Sequence, residues 1–222
     1  MTEMKTEALF DLHHTIAKEY LASIPYPWKM LGDIGEMILA LGKNLDPSLY
    51  DRMSETVWVS KTATVAPTAS VVGPCIVGHR TEVRHGAYIR GNALIGEDCV
   101  VGNSTELKNC ILFDRVQVPH YNYVGDSILG YGAHMGAGAI TSNVKSDKTL
   151  VVIKARNGER METGRKKVGA MLGDGAEIGC GAVLNPGTVI GRNASVYPLT
   201  SVRGEIPADS ICKADGKIVK RT

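Results

Sequence analysis

The sequence has few aromatic residues, no long apolar run and almost no excess of either charge. Aromatic residues make up 5% of its 222 positions, so a core built on large rings is not expected. No stretch is long and apolar enough for a membrane span, and the polar start of the chain has no signal-peptide pattern. With 25 Lys and Arg against 23 Asp and Glu, the net charge of +2 argues against a dedicated nucleic-acid surface. The sequence therefore predicts a cytoplasmic protein with neither nucleic-acid nor membrane partners.

The cysteines also exclude two classes of fold. They are odd in number and show no C-x-x-C spacing, which argues against a disulfide framework and against a zinc cluster. Reduced thiols are the expectation for Cys75, Cys99, Cys110, Cys180 and Cys212.

What the sequence does contain is a six-residue repeat. An aliphatic residue recurs at every sixth position from Val59, and the fifth position of each unit is small. Two units are five residues long, starting at Leu107 and Val124, and the register breaks after Met135 before it resumes at Leu172. The aliphatic positions include Val59, Val65, Val71, Val77, Val83, Ile89, Ile95, Val101, Leu107, Leu112, Val118, Val124, Leu129, Met135, Leu172, Ile178, Leu184, Ile190, Val196 and Val202.

This period predicts a parallel β-helix over residues 56–204. Each unit is a short strand with a tight turn, three units close a triangular coil, and stacked coils share one continuous core. A β-sandwich would instead show period-two strands with variable loops. The pattern resembles the hexapeptide-repeat proteins, and this resemblance implies the left-handed sense, which spacing alone does not fix. The predicted fold class is therefore mainly β, a left-handed parallel β-helix with a short N-terminal helical segment and one protruding loop.

The segments outside the repeat have their own signals. Residues 1–55 are predicted as a helical cap or linker, with one helix over 6–23 ended by Pro25 and Pro27 and a second from Asp33 to Leu41. The segment is expected to cover the open end of the coil, because uncovered edge strands are a liability. Residues 205–222 are predicted as a C-terminal hairpin tail. The apolar side of the first helix comprises Leu9, Leu12, Ile16, Tyr20 and Leu21.

Residues 145–167 interrupt the repeat and are predicted as a projecting hairpin with its turn at Asn157-Gly158. This loop carries eight Lys and Arg against three Asp and Glu, a balance of +5. Two interpretations remain open at this point: a solvated loop, or an anion-binding arm.

A family resemblance appears between Glu106 and Asn143. The run His120-x-x-Tyr123-x-Gly125-Asp126, then Gly136-Ala137-Gly138 and Asn143, resembles the acetyltransferase domain of the bifunctional enzyme that makes UDP-N-acetylglucosamine. The resemblance is tight in this run and looser over about residues 57–204. It implies transfer of an acetyl group from acetyl-CoA to glucosamine-1-phosphate or a similar amino sugar, without a metal. It also implies a homotrimer.

The resemblance carries roles to individual positions. It implies His120 as general base and Asn143 beside the acetyl group. For substrate binding it implies the cations Arg84 and Lys108, Tyr123, and His134, which replaces an asparagine of the family. For the coenzyme it implies Ala137 and Cys180, the latter in place of a serine.

The chemistry agrees with these residue types. Imidazole has an unperturbed pKa of ~6.5 and suits proton removal from an amine near neutral pH. Repeat arithmetic places His85, Asn103, His120 and Ala137 in one outward column with Arg84 beside it. Backbone N–H groups of Gly136-Ala137-Gly138 are candidate donors to the developing oxyanion.

Other functions remain as alternatives. The chain is also consistent with a non-catalytic β-helix partner of a separate sugar-phosphate nucleotidyltransferase, or with an acyltransferase for another acceptor. A β-helical carbonic anhydrase would need three histidines on zinc, but the third position expected after His85 and His120 is Gly125.

Overall fold

The computed structural model describes residues 2–221 and shows the parallel β-helix that the repeat predicts, with the left-handed sense that the resemblance implies. Short strands stack in parallel on three faces of a triangular coil. The first face contains Val57–Ser60, Cys75–Val77, Ala93–Ile95, Ala170–Leu172, Thr188–Ile190 and Glu205–Ile206. The second face contains Thr64–Val65, Glu82–Val83, Val100–Asn103, Gln117–His120, His134–Met135, Glu177–Ile178, Ser195–Val196 and Ser210–Cys212. The third face contains Ser70–Val72, Tyr88–Arg90, Ile140–Thr141, Val183–Leu184 and Ser201–Val202.

Two longer strands, Glu106–Leu112 and Tyr123–Leu129, run from the third face to the first without a separate turn. They contain the two five-residue units, each of which lacks the residue that would form a separate turn. The corner is made by Asn109 and Asp126, whose φ angles are 52° and 49°. Asn and Asp tolerate this left-handed conformation better than most residues. The short units therefore set two polar side chains one above the other at the corner between the third and first faces.

The aliphatic column forms the core. Its members from Val77 to Val202 are buried, and the small column beside it is buried as well. Each fully buried aliphatic side chain contributes about 1.5–3 kcal/mol. Only the first coil differs: Val59, Val65 and Val71 are half-exposed around a cavity of about 430 Å³ at the open end.

The N-terminal segment differs from the prediction in two respects. The single helix expected over 6–23 is broken into α1 (Thr6–Leu9), a 3₁₀ turn at Leu12–His14 and α2 (Lys18–Ala22). The physical reason is that Leu9 O and His14 O accept hydrogen bonds from the backbone of Asp174 and Asp114, so the segment pairs with the coil instead of with itself. On the expected apolar side, Ile16 and Tyr20 are 44% and 38% exposed. Further 3₁₀ helices span Thr2–Met4 and Pro27–Gly32.

The second helix is found as α3 (Ile34–Lys43). It packs on the side of the coil, against strands of the first face, where Gly42 lies against the ring of Trp58. The helices of the segment therefore cover a face of the coil, while strand Tyr50–Ser54 pairs antiparallel with Val57–Ser60 at the first coil.

The insertion and the C-terminus follow the prediction more closely. The inserted hairpin, Val152–Lys154 paired with Arg160–Glu162, has its turn at Asn157-Gly158 and packs along the coil with Val151 and Ile153 buried. The coil itself continues beyond the expected boundary at residue 204, since Glu205–Ile206 and Ser210–Cys212 pair in parallel with it. Strand Ile218–Lys220 then closes the predicted C-terminal hairpin. No helix within residues 2–221 is long and apolar enough to cross a membrane.

Candidate active site

Polar side chains converge on Asp126 at the corner between the third and first faces. Asp126 is 4% exposed, and its carboxylate accepts hydrogen bonds from the side-chain amides of Asn143 and Asn109, the latter at 2.9 Å. The ammonium of Lys108 lies 3.4 Å from the same carboxylate. Hydrogen bonds to a charged acceptor contribute about 1.5–3 kcal/mol each, so these donors hold the buried charge in place. The Asp126 cluster, as we call it, comprises Lys108, Asn109, Tyr123, Asp126 and Asn143.

The Asp126 cluster fixes how Asn143 is oriented. Its Nδ2 donates to Asp126 and, at 3.2 Å, to the hydroxyl of Tyr123. Because a carboxylate only accepts hydrogen bonds, the amide nitrogen must face Asp126 and the amide oxygen must face the other way. Asn143 therefore presents an acceptor that a ligand N–H group can use.

Tyr123 lies flat along the third face. A Cβ at Gly125 would come within 2.4 Å of the Tyr123 hydroxyl, so the ring reaches Asn143 only because residue 125 is glycine. Burial, followed by the charges of Asp126 and Glu106, raises the pKa of Tyr123. The phenol thus stays protonated at neutral pH and has a hydrogen to donate.

A second group of predicted residues lies at the corner between the second and third faces. His120 pairs in register with Asn103, whose amide donates to the carbonyl of His85 at 2.9 Å. Farther along, Gly138 N donates to His120 O and Gly181 N donates to Ala137 O, which places Ala137 and then Cys180 after His120. The outward column predicted from the repeat is present, and we call it the His120 column. The His120 side chain is exposed and makes no hydrogen bond to any residue in the range 2–221.

A groove with a floor of small residues follows His120 along this column. The floor is formed by two tripeptides, Gly136-Ala137-Gly138 and Gly179-Cys180-Gly181, stacked on successive coils. A Cβ at Gly136 would come within 2.7 Å of the Cys180 backbone, so the floor has no room for larger residues. Tyr121 and Leu199, 64% and 83% exposed, stand at its two ends.

Two of the three expected oxyanion donors are not available in this groove. Gly136 N donates to Ile178 O at 2.7 Å and Gly138 N donates to His120 O at 3.0 Å. Both N–H groups therefore take part in the backbone hydrogen bonds between neighbouring coils. The proposed role for these two N–H groups is therefore wrong.

Arg84 and His134 lie apart from Lys108 in the single chain. Arg84 sits on the second face, where its guanidinium binds Glu82 at 2.8 Å. His134 is on the same face, with its Nδ1 2.9 Å from a carboxylate oxygen of Glu177. The residue stacked beside Lys108 on the third face is Arg90, as the register Leu107↔Ile89 shows. Its guanidinium is 2.7 Å from Glu106.

Arg90 was missed in the sequence analysis, yet it carries a simple signal. One full coil of eighteen residues separates it from Lys108, so the same repeat arithmetic that built the His120 column points to it.

The Asp126 cluster and the His120 column occupy opposite ends of the third face. The rise per residue along the strands of this face puts them roughly 15 Å apart within one chain. Among residues 2–221, no group of His, Cys, Asp and Glu has the geometry to hold a metal ion.

Comparisons with known proteins found one matching family model and several similar sequences. The family model for the GMPPB C-terminal domain matches residues 71–156. A bifunctional GlmU protein of Methanococcus maripaludis is 33% identical over 136 residues, covering 61% of this chain and 33% of the relative. Another from that species is 29% identical over 213 residues, covering 95% and 51%. The bifunctional sugar-1-phosphate nucleotidylyltransferase/acetyltransferase of Sulfurisphaera tokodaii is 31% identical over 120 residues, covering 54% and 30%.

Two solved structures are similar to the chain at low identity. WeeI from Acinetobacter baumannii is 17% identical with a TM-score of 0.43, covering 71% of this chain and 57% of its own. The acetyltransferase domain of PglB from Neisseria gonorrhoeae, in complex with acetyl coenzyme A, is 18% identical with a TM-score of 0.30, covering 72% and 55%. The chain spans between about a third and a half of the length of the first two curated relatives above. It is a hexapeptide-repeat β-helix that resembles part of the bifunctional GlmU proteins, as its motifs indicated.

Proposed function

We propose that the chain is an acetyl-CoA-dependent N-acetyltransferase whose acceptor is an amino-sugar phosphate or a nucleotide-linked amino sugar. The observation that carries the proposal is His120: an exposed imidazole without a side-chain partner among the described residues, at the head of a groove floored by Ala137 and Cys180. The relatives described above, which include a bifunctional sugar-1-phosphate nucleotidylyltransferase/acetyltransferase, support the same reaction class.

Each of these residues has its own role in a direct transfer of the acetyl group. His120 accepts a proton from the acceptor amine, whose nitrogen then forms a bond to the thioester carbonyl carbon. The carbon–sulfur bond breaks, and the released thiolate takes up a proton. Positioned bases of this kind contribute about 10²–10⁴ in rate. Asn143 offers its amide oxygen to an N–H group, and Tyr123 offers its hydroxyl hydrogen.

The small-residue groove fits an extended thioester arm better than a bulky ring. Its floor of Gly136, Ala137, Gly179 and Cys180 carries no side chain larger than a thiol beside the imidazole. The phosphate of the acceptor would lie near Lys108 and Arg90, which stack on neighbouring strands of the third face.

The separation within one chain implies that two chains complete each site. His120 stands at one end of the third face and Asn143 at the other, so one acetyl group does not reach both within a single chain. A cyclic trimer places the corner of one coil against the face of the next and closes the assembly. We therefore include a homotrimer in the proposal.

The test is an assay of CoA thiol release with acetyl-CoA and a panel of acceptors. The panel includes glucosamine-1-phosphate, UDP-linked amino sugars and, as hydroxyl acceptor, serine. Acceptor-dependent release with at least one amino sugar supports the proposal. No release above the acceptor-free control with the whole panel would reject it. If the inactive chain then bound a sugar-phosphate nucleotidyltransferase tightly, the non-catalytic partner role would replace it.

A further inference from the structure

A cationic cleft lies between the inserted hairpin and the later coils. It encloses about 150 Å³ and is lined by Lys154 and Arg160 of the hairpin, by Arg203 and Gly204 of the coil, and by Pro186 between them. Val152 and Lys145 complete its wall. None of these side chains belongs to the Asp126 cluster or to the His120 column.

The hairpin is held firmly in this position. A Cβ at Gly204 would come within 2.9 Å of Lys154 O, so the strand backbone approaches the coil as closely as glycine allows. The backbone N–H of Arg156 donates to the carboxylate of Glu205 at 2.9 Å. With Val151 and Ile153 buried beneath the hairpin, the cleft is a fixed feature of the fold.

Without a bound anion, the positive charges in the cleft repel one another. Lys154 and Arg160 are directly opposed across the two strands, a like-charge arrangement that destabilises a hairpin. Arg203 faces them from the coil, and its guanidinium is held only by the neutral side-chain oxygen of Asn185 at 3.2 Å. None of the three cations takes part in an ion pair among residues 2–221.

The nearby carboxylates do not cancel this charge. Asp147 lies 3.3 Å from Lys145, so that lysine is already neutralised. Glu162 stands on the hairpin opposite Val152 and forms no ion pair with Arg160 or Lys154. Glu205 accepts a hydrogen bond from the Arg156 backbone and forms no ion pair with Lys154, Arg160 or Arg203.

We infer that this cleft is a binding site for a phosphate or diphosphate group of a ligand, held by Lys154, Arg160 and Arg203. The guanidinium groups suit bidentate contacts to phosphate oxygens, and the lysine adds a point charge. An anion between the opposed cations turns their mutual repulsion into attraction. The inference goes beyond acyl transfer, because it concerns binding alone.

The cleft is placed to serve the candidate active site. Ile140 and Thr141 pair with Val183 and Leu184, and these pair with Ser201 and Val202. Asn143 and Arg203 therefore follow the same corner of the coil two strands apart, about 10 Å along the axis. The phosphate can belong to the coenzyme or to a nucleotide-linked acceptor, and both share this chemistry.

The test is calorimetric titration with pyrophosphate. Acyl transfer does not consume pyrophosphate, so binding is measured independently of turnover. The 222-residue chain is compared with Lys154→Gln/Arg160→Gln, with Arg203→Gln and with the control Lys166→Gln, an exposed lysine of the same loop. Loss of one or two charge-assisted contacts should weaken binding by about ten- to hundredfold in the double variant and in Arg203→Gln. The control should bind as the wild type does, and added salt should weaken wild-type binding.

Thermal unfolding provides a second measurement that does not depend on calorimetric heat. Pyrophosphate should raise the Tm of the wild type and of Lys166→Gln but not that of the double variant, whose own Tm should not fall because repulsion is relieved. Absence of pyrophosphate binding to the wild type, or equal weakening in Lys166→Gln, would overturn the inference.

Titrations with CoA, 3′-dephospho-CoA and UDP then identify the source of the phosphate. Weakening of CoA but not UDP by Arg203→Gln assigns the cleft to the coenzyme, and the converse assigns it to a nucleotide. If all three ligands bind the double variant as tightly as the wild type, the cleft binds no ligand phosphate and the inference fails. Because no turnover is measured, this failure is distinct from failure of the proposed function.

Discussion

The side-chain amide of Asn143 donates a hydrogen bond to the buried carboxylate of Asp126, and this contact fixes the direction of both polar ends of the asparagine. Asp126 in turn depends on Lys108 and Asn109 as donors. Asn109 also donates to the carbonyl of Leu31 at 3.0 Å, which ties the Asp126 cluster to the N-terminal segment. The candidate site therefore rests on one buried charge.

Replacement of that charge should disturb both stability and turnover. In Asp126→Asn the new amide would face the donors of Asn109 and Asn143, leaving at least one of them without an acceptor. We expect the free energy of unfolding to fall by about 1–3 kcal/mol. We also expect kcat to fall more than KM changes, since Asn143 loses its orientation. Urea titration and steady-state kinetics measure the two effects.

The matched control is Asp147→Asn. Asp147 is an exposed loop carboxylate whose partners, Lys145 and Thr149, are local. A change within about 0.5 kcal/mol is expected there. Equal losses in the two variants would mean that burial of the Asp126 charge has no special importance.

A second prediction concerns which cation holds the acceptor phosphate. Both Arg90 and Arg84 pair with a glutamate, but Arg90 lies beside Lys108 on the third face, whereas Arg84 is on the second face. Arg90→Ala should raise KM for a phosphate-bearing acceptor by about tenfold or more, because a charge-assisted contact is lost. Arg84→Ala should leave this KM unchanged. The reverse result would restore the assignment made from sequence.

The repeat was sufficient to predict the β-helix, apart from its handedness, because it is a local pattern. Val77, Val101 and Leu184 are buried as their spacing predicts, and the hairpin turn at Asn157-Gly158 lies where its turn signal is. The N-terminal helix was mispredicted for the opposite reason. Its backbone is bound by Asp114 and Asp174, residues about a hundred or more positions away that no local pattern reveals.

The candidate site was predictable only in part. Spacing placed His120 and Ala137 in one column correctly, since a column is a direct consequence of the period. It could not show that Gly136 N and Gly138 N are consumed by the ladder, or that Asp126 organises the asparagine. Those properties depend on which groups of neighbouring coils form hydrogen bonds with each other, and the repeat pattern does not show this.

His120 should be required for turnover while contributing little to binding. His120→Ala should lower kcat by about 10²–10⁴ with KM nearly constant, because the lost proton acceptor acts in the transition state. The matched control is His85→Ala, two strands away in the same column, where the imidazole binds the hydroxyl of Thr68 at 2.6 Å. An unchanged kcat in His120→Ala would remove this residue from the mechanism.

The oligomeric state provides a further check. A site completed between chains requires the trimer to persist at assay concentrations, so light scattering at micromolar protein should give three times the chain mass of 23.8 kDa. A monomer with full activity would contradict the two-chain site. Leu199, 83% exposed at the end of the groove, should lose most of its accessibility in the trimer.

The buried thiols should lower the free energy of unfolding at alkaline pH. Burial raises the pKa of Cys75 and of Cys99 to about 12, and it raises the pKa of Cys110 as well. Above about pH 9 the unfolded chain releases these protons while the folded chain retains them, so the unfolded state binds fewer protons. Stability must then fall as pH rises from about 9 towards 12, by up to about 1.4 kcal/mol per pH unit for each thiol.

Urea titrations from pH 8 to pH 10.5 measure this slope. Cys75→Ala removes one of the titrating groups, so its stability should decline less steeply over that interval than the wild type does, even though its stability at pH 8 is lower. Cys180→Ala is the control, because Cys180 is exposed in the groove and its replacement should leave the slope unchanged. Parallel slopes in all three proteins would mean that the Cys75 thiol reaches water more readily than its position inside the coil implies.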